Sequence, residues 1–297
     1  MGLSDGETPA GRRLPPTDKA WRVMILGAGD KLPVREEADH VRRLIHDETN
    51  IVAFDLNFEQ SLSETKADLA IVLGGDGSIL RAARQMGTRQ VPVLGINLGK
   101  LGFLANVSPE NVEDAWQTLR DGDYVIKDCL MLNCQIYRKG KLFAQELALN
   151  EIALLSSLGQ GILDIELYVD EEHATTYSCD GLLLSTPVGS TAHNLSAGGP
   201  IIRQDLHAVV ISPISPHTLT VRPVVDRADR IYELMVPSLK NGAALVADGQ
   251  IVIPLGPEDR VRVTQAKACF QMIEVGGQTY YRTLRDKLGW RGQPNYR

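Results

Sequence analysis

Leu69-Ala70-Ile71-Val72-Leu73-Gly74-Gly75-Asp76-Gly77-Ser78-Ile79-Leu80-Arg81-Ala82-Ala83-Arg84 is the stretch whose reading decides the fold. An apolar run enters a glycine turn, and a helix-forming segment follows with Ser78 in position to cap it. This is strand, turn, helix. Glycines at a helix N-terminus expose backbone N–H groups where the macrodipole also favours anions, so Gly75, Gly77 and Ser78 read as a phosphate cradle. Asp76 needs a reason of its own. A carboxylate beside phosphates is repulsive unless it holds a cation such as Mg²⁺ or faces a hydroxyl about to lose its proton. Both exceptions describe a kinase, and the alternative is a plain turn in which Asp76 only caps.

Outward from the turn, apolar strands alternate with amphipathic helices. Trp21-Arg22-Val23-Met24-Ile25-Leu26, Ile51-Val52-Ala53-Phe54 and Val91-Pro92-Val93-Leu94-Gly95-Ile96 read as further strands, and Glu36 to His46 as a helix burying Ala38, Val41 and Ile45. The alternation predicts an α/β domain with a parallel, doubly wound sheet, whose ligands bind beyond the carboxyl ends of the strands. Gly27-Ala28-Gly29 lacks the third glycine of a dinucleotide fingerprint, since Leu32 stands there, and reads as an ordinary turn. Asn97-Leu98-Gly99-Lys100-Leu101-Gly102-Phe103-Leu104 follows another strand end. There Asn97 can donate and accept, Lys100 can answer phosphate charge, and Leu101, Phe103 and Leu104 read as core. A helix from about Pro109 to Arg120 leads to the turn Asp121-Gly122-Asp123, which marks a boundary.

From Tyr124 the periodicity changes to alternation, as at Leu130, Leu132, Cys134 and Ile136, and predicts a mostly β second domain. Asp248-Gly249 between two apolar runs reads as a hairpin turn. The final helix-like segment places Tyr281, Leu284 and Leu288 on one face, with Gly289 as its stop, and is expected to pack back on the first domain. The resulting division is a disordered lead-in over 1–19, an α/β nucleotide-phosphate domain over 20–123 plus 279–297, and a β-rich domain over 124–278.

Two stretches interrupt the β pattern. Asn150-Glu151 sets an amide beside a carboxylate inside an apolar segment, where each needs polar partners, from a ligand or from the backbone at a strand end. Asp180 to Pro200 concentrates glycine and hydroxyl residues, including Ser185, Ser190, Thr191 and Ser196, that bury little apolar surface. That composition suits a surface binding ribose, purine edges and phosphate, with His193 stacking on a ring. A Ser/His/Asp triad from Asp180, Ser190 and His193 is disfavoured, because no G-x-S-x-G elbow is present.

Composition narrows the partners. The 297 residues carry a net charge of −6 with interleaved signs, which argues against nucleic acid or an anionic membrane as partner. Cys129, Cys134, Cys179 and Cys269 form neither a CxxC motif nor a disulfide framework, so reduced thiols are expected. No apolar stretch approaches a membrane span and no signal-peptide core is seen, which predicts a cytoplasmic protein.

Together these stretches resemble NAD kinase, the ATP-dependent enzyme that phosphorylates the 2′-hydroxyl of the adenosine ribose of NAD. The resemblance runs from about Trp21 to Trp290. It rests on Gly74-Gly75-Asp76-Gly77, Asn97 to Leu104, Asn150-Glu151, Asp180 to Pro200, Ser212 to Leu219, Arg222-Pro223, Asp248-Gly249-Gln250 and Tyr281 to Arg285. It implies an active crevice between an α/β and a β domain, the latter binding NAD, in a homodimer or homotetramer whose neighbouring subunit helps form the NAD site. Asp76 then becomes the general base or a metal-positioning carboxylate, with ATP as donor and Mg²⁺ or another divalent cation as cofactor. Asn150 and Glu151 would hold ribose or adenine groups, Thr191 and Ala192 the adenosine portion, and Asp180 the nicotinamide side. His217 and Arg222 are candidates for phosphate charge. The chain departs from the family pattern at His193, where members commonly carry Tyr, and at Ser178, where many carry Arg. Diacylglycerol-type lipid kinases share the GGDG turn and give an alternative reading, and a non-catalytic dinucleotide sensor gives another.

Overall fold

Trp21–Gly27 (β1), Thr49–Asp55 (β2), Leu69–Gly74 (β3) and Pro92–Asn97 (β4) form a parallel sheet in the order β2-β1-β3-β4. The central strands β1 and β3 are buried along nearly their whole length, as strands covered on both faces must be. The computed structural model describes residues 13–16, 19–99, 102–156, 161–218, 220–239, 242–276 and 280–289. Leu32–Ile45 (α1) buries Val34, Ala38, Val41 and Ile45, and it starts at Leu32 because Pro33 suits a first helical turn. Asp76–Met86 (α2) and Val112–Arg120 (α3) bury apolar stripes in the same way. Trp21 and Trp116 meet edge to face at 5.6 Å inside this core.

The lead-in contributes to that core. Leu14 is buried, its N–H donates to the Tyr124 hydroxyl at 2.7 Å, and Arg13 Nη1 reaches Gly122 O at 2.5 Å. Low apolar content hides such a segment from composition, because a single leucine anchors it.

Tyr124–Arg138 (β5), Lys141–Ala148 (β6), Glu151–Ser156 (β7), Leu163–Val169 (β8), Glu172–Cys179 (β9) and Gly181–Ser185 (β10) open the second unit. A one-turn helix at His193–Ser196 (α4) precedes Ala208–Ile214 (β11), Val224–Arg227 (β12), Tyr232–Met235 (β13), Ala243–Ala247 (β14), Ile251–Leu255 (β15) and Arg260–Val275 (β16). Six strands make an antiparallel sheet in the order β12-β11-β10-β7-β14-β15. Antiparallel pairs β16-β13, β13-β8 and β8-β9, with β5 and β6, complete this mostly β unit. Alternate residues such as Leu132, Ile152, Leu184, Leu234 and Val263 fill its core.

The chain divides into one unit of 1–127 with 271–297 and another of 128–270. These divisions fall inside β5 and β16, whereas turn composition drew attention to Asp121-Gly122-Asp123. In the first unit Gln271 and Met272 pair in parallel with Pro92 and Val93. Tyr280–Leu288 (α5) returns to that unit through Leu284, 2% exposed, and ends at Gly289, φ +66°. Tyr281, expected on the packed face with Leu284, is 61% exposed instead. No helix among the described residues is long and apolar enough to cross a membrane.

Candidate active site

β3 and β4 are paired so that Gly74 lies opposite Asn97, which brings both strand ends to one edge. Helix α2 starts at Asp76 with Gly75 as its N-cap, so Ser78 sits within the first turn and does not cap it. Its hydroxyl instead occupies the space a Cβ on Gly74 would need, and Gly74 has φ +135°. Gly75 and Gly77 differ from the other described glycines. Both have an ordinary φ, and a Cβ on either would meet nothing within 4 Å. Neither backbone strain nor packing calls for glycine there, although Gly77 inside a helix costs about 1 kcal/mol relative to alanine. At both positions the chain leaves side-chain space open beside the N-terminus of α2.

Asp76 is held in a backbone clamp. Its Oδ2 accepts Phe103 N–H at 2.7 Å, and Oδ1 accepts Leu104 N–H at 2.9 Å and Ala105 N–H at 3.3 Å. A Cβ on Gly102 would strike the same carboxylate, which explains the glycine. Asn97 turns the chain toward this loop by accepting Gly99 N–H on Oδ1 at 3.1 Å. Lys100 and Leu101 lie outside the described residues. Leu104 is buried as the sequence suggests, while Phe103 is half-buried and carries Lys287 Nζ 3.6 Å from its ring centroid.

The second unit contains a matching clamp. Asp248 accepts N–H from Leu149 (2.9 Å), Asn150 (2.7 Å) and Glu151 (3.1 Å), and returns its own N–H to Glu151 O at 3.0 Å. Asp248 is also the hairpin residue expected between β14 and β15, with φ +50°. Hairpin chemistry was legible locally, but the clamp joins residues nearly a hundred apart and leaves no local signal. Glu151 is 4% exposed with Oε2 unpartnered, and burial first, then the Asp248 charge, pushes its carboxyl up to about 8. Burial and the neighbouring charge therefore both favour its neutral form.

The hydroxyl-rich composition of Asp180 to Pro200 predicts a surface, yet much of the stretch, with Ser212 beside it, is interior. Ser185, Thr186, Ser190, Asn194 and Ser212 are fully buried. Ser185 Oγ donates to Thr186 O at 3.1 Å within the turn. Thr186 Oγ1 bonds Leu149 O at 2.6 Å, and Ser212 Oγ bonds Asn194 Oδ1 at 2.6 Å. Composition misleads because small polar residues also suit a buried network when every group finds a partner. Ser190 donates to Pro187 O at 2.6 Å while His193 is exposed, so no triad forms. Thr191 and Ala192 are half-buried, and His193 and Ser196 are exposed, as are Asp180, Gly198 and Pro200.

Pairing of β10 with β11 brings Asp180 to His217, Oδ1 to Nε2 3.7 Å. Arg222 is exposed and donates to Val221 O at 2.7 Å. Ser178 is bonded to Asp164. Among the described residues no group of three or more His, Cys, Asp or Glu side chains is arranged to hold a metal.

Residues 32–124 match the model of the ATP-NAD kinase N-terminal domain, and residues 149–275 that of the ATP-NAD kinase C-terminal domain. An NAD kinase of Rhodopirellula baltica is 53% identical over 272 residues, 92% of this chain and 88% of the relative. One from Geotalea daltonii is 38% identical over 225 residues, 76% of this chain and 79% of its own. A yeast NADH kinase crystal structure with NADH has the same fold, with TM-score 0.84 at 22% identity over 94% of this chain and 91% of its own. An Archaeoglobus fulgidus NAD kinase in complex with ATP gives TM-score 0.73 at 26% identity, covering 91% of this chain and 100% of that one. The lipid-kinase alternative draws no support from these matches.

Proposed function

The chain belongs to the NAD kinase family, and from that premise we propose how its own residues divide the work. The reaction transfers the γ-phosphate of ATP to the 2′-hydroxyl of the adenosine ribose of NAD, giving NADP and ADP. One observation carries the assignment of the reacting group. Three backbone N–H groups fill three of the roughly four lone-pair positions of the Asp76 carboxylate. The position left on Oδ2 takes the ribose hydroxyl. Asp76 accepts its proton as the oxygen bonds to the γ-phosphorus and the bond to the ADP oxygen breaks.

Around that step the remaining residues bind and orient. The open backbone at Gly75 and Gly77, with Ser78 in the first turn of α2, cradles the phosphates, and Asn97 shapes the adjoining loop. Lys100 is assigned to phosphate charge from sequence alone. Asn150 and Glu151 hold ribose or adenine polar groups, and a protonated Glu151 donates a hydrogen bond without adding negative charge. Thr191 and Ala192 receive the adenosine portion, His193 stacks, and Ser196 offers an exposed hydroxyl. Asp180, with His217 beside it, takes the nicotinamide side, and Arg222 answers phosphate charge.

The divalent cation, Mg²⁺ in this reading, supplies charge screening on the phosphates. It would keep mostly phosphate and water ligands, as Mg²⁺ usually does, with Asp76 the carboxylate of this chain that could position it. Free thiols at Cys129, Cys134, Cys179 and Cys269 support a cytoplasmic location. The family resemblance supports a homodimer or homotetramer. An assay for NADP formation from ATP, Mg²⁺ and NAD tests the assignment. Binding of NAD without turnover would leave a dinucleotide sensor in its place.

A further inference from the structure

Leu284 anchors α5 in the first unit, and Lys287 in the last turn of that helix lies with Nζ 3.6 Å from the Phe103 centroid. At that distance the ammonium sits directly on the negative face of the ring. Phe103 is also the residue whose N–H donates to Asp76 Oδ2 at 2.7 Å. A contact path therefore runs from the final helix, through one aromatic residue, to the glycine turn. Lysine stems commonly lie along apolar surface with the ammonium in water, whereas here the ammonium itself is set over the ring. On its own helix the neighbouring carboxylate Asp286 is turned to Arg282 at 3.8 Å. The charge felt from α2 is that of Asp76, which favours the ammonium, while burial outweighs it and lowers Lys287 to about 8.

We propose that Lys287 is a positioning residue for phosphoryl transfer, its ammonium holding Phe103 and, through Phe103, the loop that aims the Asp76 carboxylate. This rests on the reading of Asp76 given above. The ring contact is strongest when charged and desolvated, so it is complete when Lys287 is protonated and fades as pH rises through about 8.

The test compares wild type, Lys287→Met, Lys287→Arg and Asp76→Asn in steady-state assays with ATP, Mg²⁺ and NAD from about pH 6.5 to 9.5. Lys287→Met is expected to lose about 10-fold in kcat at pH 7, with KM for NAD within about two-fold and an unfolding midpoint close to wild type. Lys287→Arg should keep at least about a third of kcat at pH 7, and its kcat relative to wild type should rise as pH passes about 8, because guanidinium stays charged and stacks on aromatic faces. Wild-type kcat in Lys287→Met overturns the proposal. So does a ratio of Lys287→Arg to wild-type kcat that stays flat from about pH 7 to 9.5, since loss of the Glu151 proton near 8 acts on both proteins alike and cancels in the ratio. If Lys287→Met does not fold, the Lys287→Arg profile decides alone. Near-normal turnover in Asp76→Asn would defeat the Asp76 reading itself. Loss there combined with full activity in Lys287→Met defeats only the inference about Lys287.

Discussion

Asp76→Asn separates the two jobs that the geometry gives this carboxylate. Oδ1 accepts two N–H groups, from Leu104 at 2.9 Å and Ala105 at 3.3 Å, so the amide oxygen of the variant would take that side. Its NH₂ group then faces Phe103 N–H, donor against donor, where the native pair is 2.7 Å apart. The variant loses one charge-assisted bond and leaves an N–H unsatisfied, a cost of about 1.5–3 kcal/mol. Asp76 is only half-buried, and water can answer part of the loss, so about 2 kcal/mol is the working value. For a unit of this size each kcal/mol moves the midpoint by roughly 2–4 °C, which predicts a fall of roughly 4–8 °C. The kinetic loss is independent of this and should be about 10² to 10⁴ in kcat, with NAD affinity within a few fold. Calorimetric unfolding gives the first quantity. NADP formation well below the midpoint gives the second. A midpoint within about 1 °C of wild type would refute the clamp, and near-normal kcat would refute the base.

Two further substitutions probe the rest of the site. Gly75→Ala and Gly77→Ala enter open space, so unfolding should be unchanged, or improved by about 0.5–1 kcal/mol for Gly77 inside its helix. Meanwhile kcat/KM for ATP should fall about 10-fold or more as methyl groups enter the phosphate cradle; unaltered ATP kinetics would end the cradle reading. Glu151→Gln addresses a carboxyl raised from 4.5 to about 8, largely by burial. A raised acid contributes stability fully below about 4.5, and that contribution declines as pH rises until it is gone above about 8. The glutamine variant should therefore gain on wild type in unfolding midpoint between those pH values, and parallel midpoint-against-pH curves for the two proteins would contradict it.

Local physics made much of the fold readable. Val34, Ala38, Val41 and Ile45 recur at helical spacing and are the buried face of α1. The apolar run at Leu69 to Leu73 is a buried parallel strand, and Asp248-Gly249 turns a hairpin. Each of these signals lies within one element, where side-chain period and backbone preference act over a few residues. Local pattern fails where the outcome depends on distant partners. The composition of Asp180 to Pro200 predicts a surface, yet within it Thr186 bonds Leu149 and Asn194 accepts from Ser212 in the interior. Ser78 looked like a cap, but the helix begins two residues earlier and its hydroxyl fills the space beside Gly74.

The glycine turn shows the same division at the scale of the site. The sequence alone determined that a strand would deliver Gly75, Asp76 and Gly77 to a helix N-terminus, because apolar runs, glycine turns and helix starts are written in consecutive residues. Only the tertiary structure decided how Asp76 is used. Its three partners come from a loop beyond β4, Lys287 reaches the same loop from the last helix, and Asp248 closes the second clamp from almost a hundred residues away. Hydrogen-bond geometry and burial depend on which segments folding brings within about 3 Å of one another, and no local pattern encodes that.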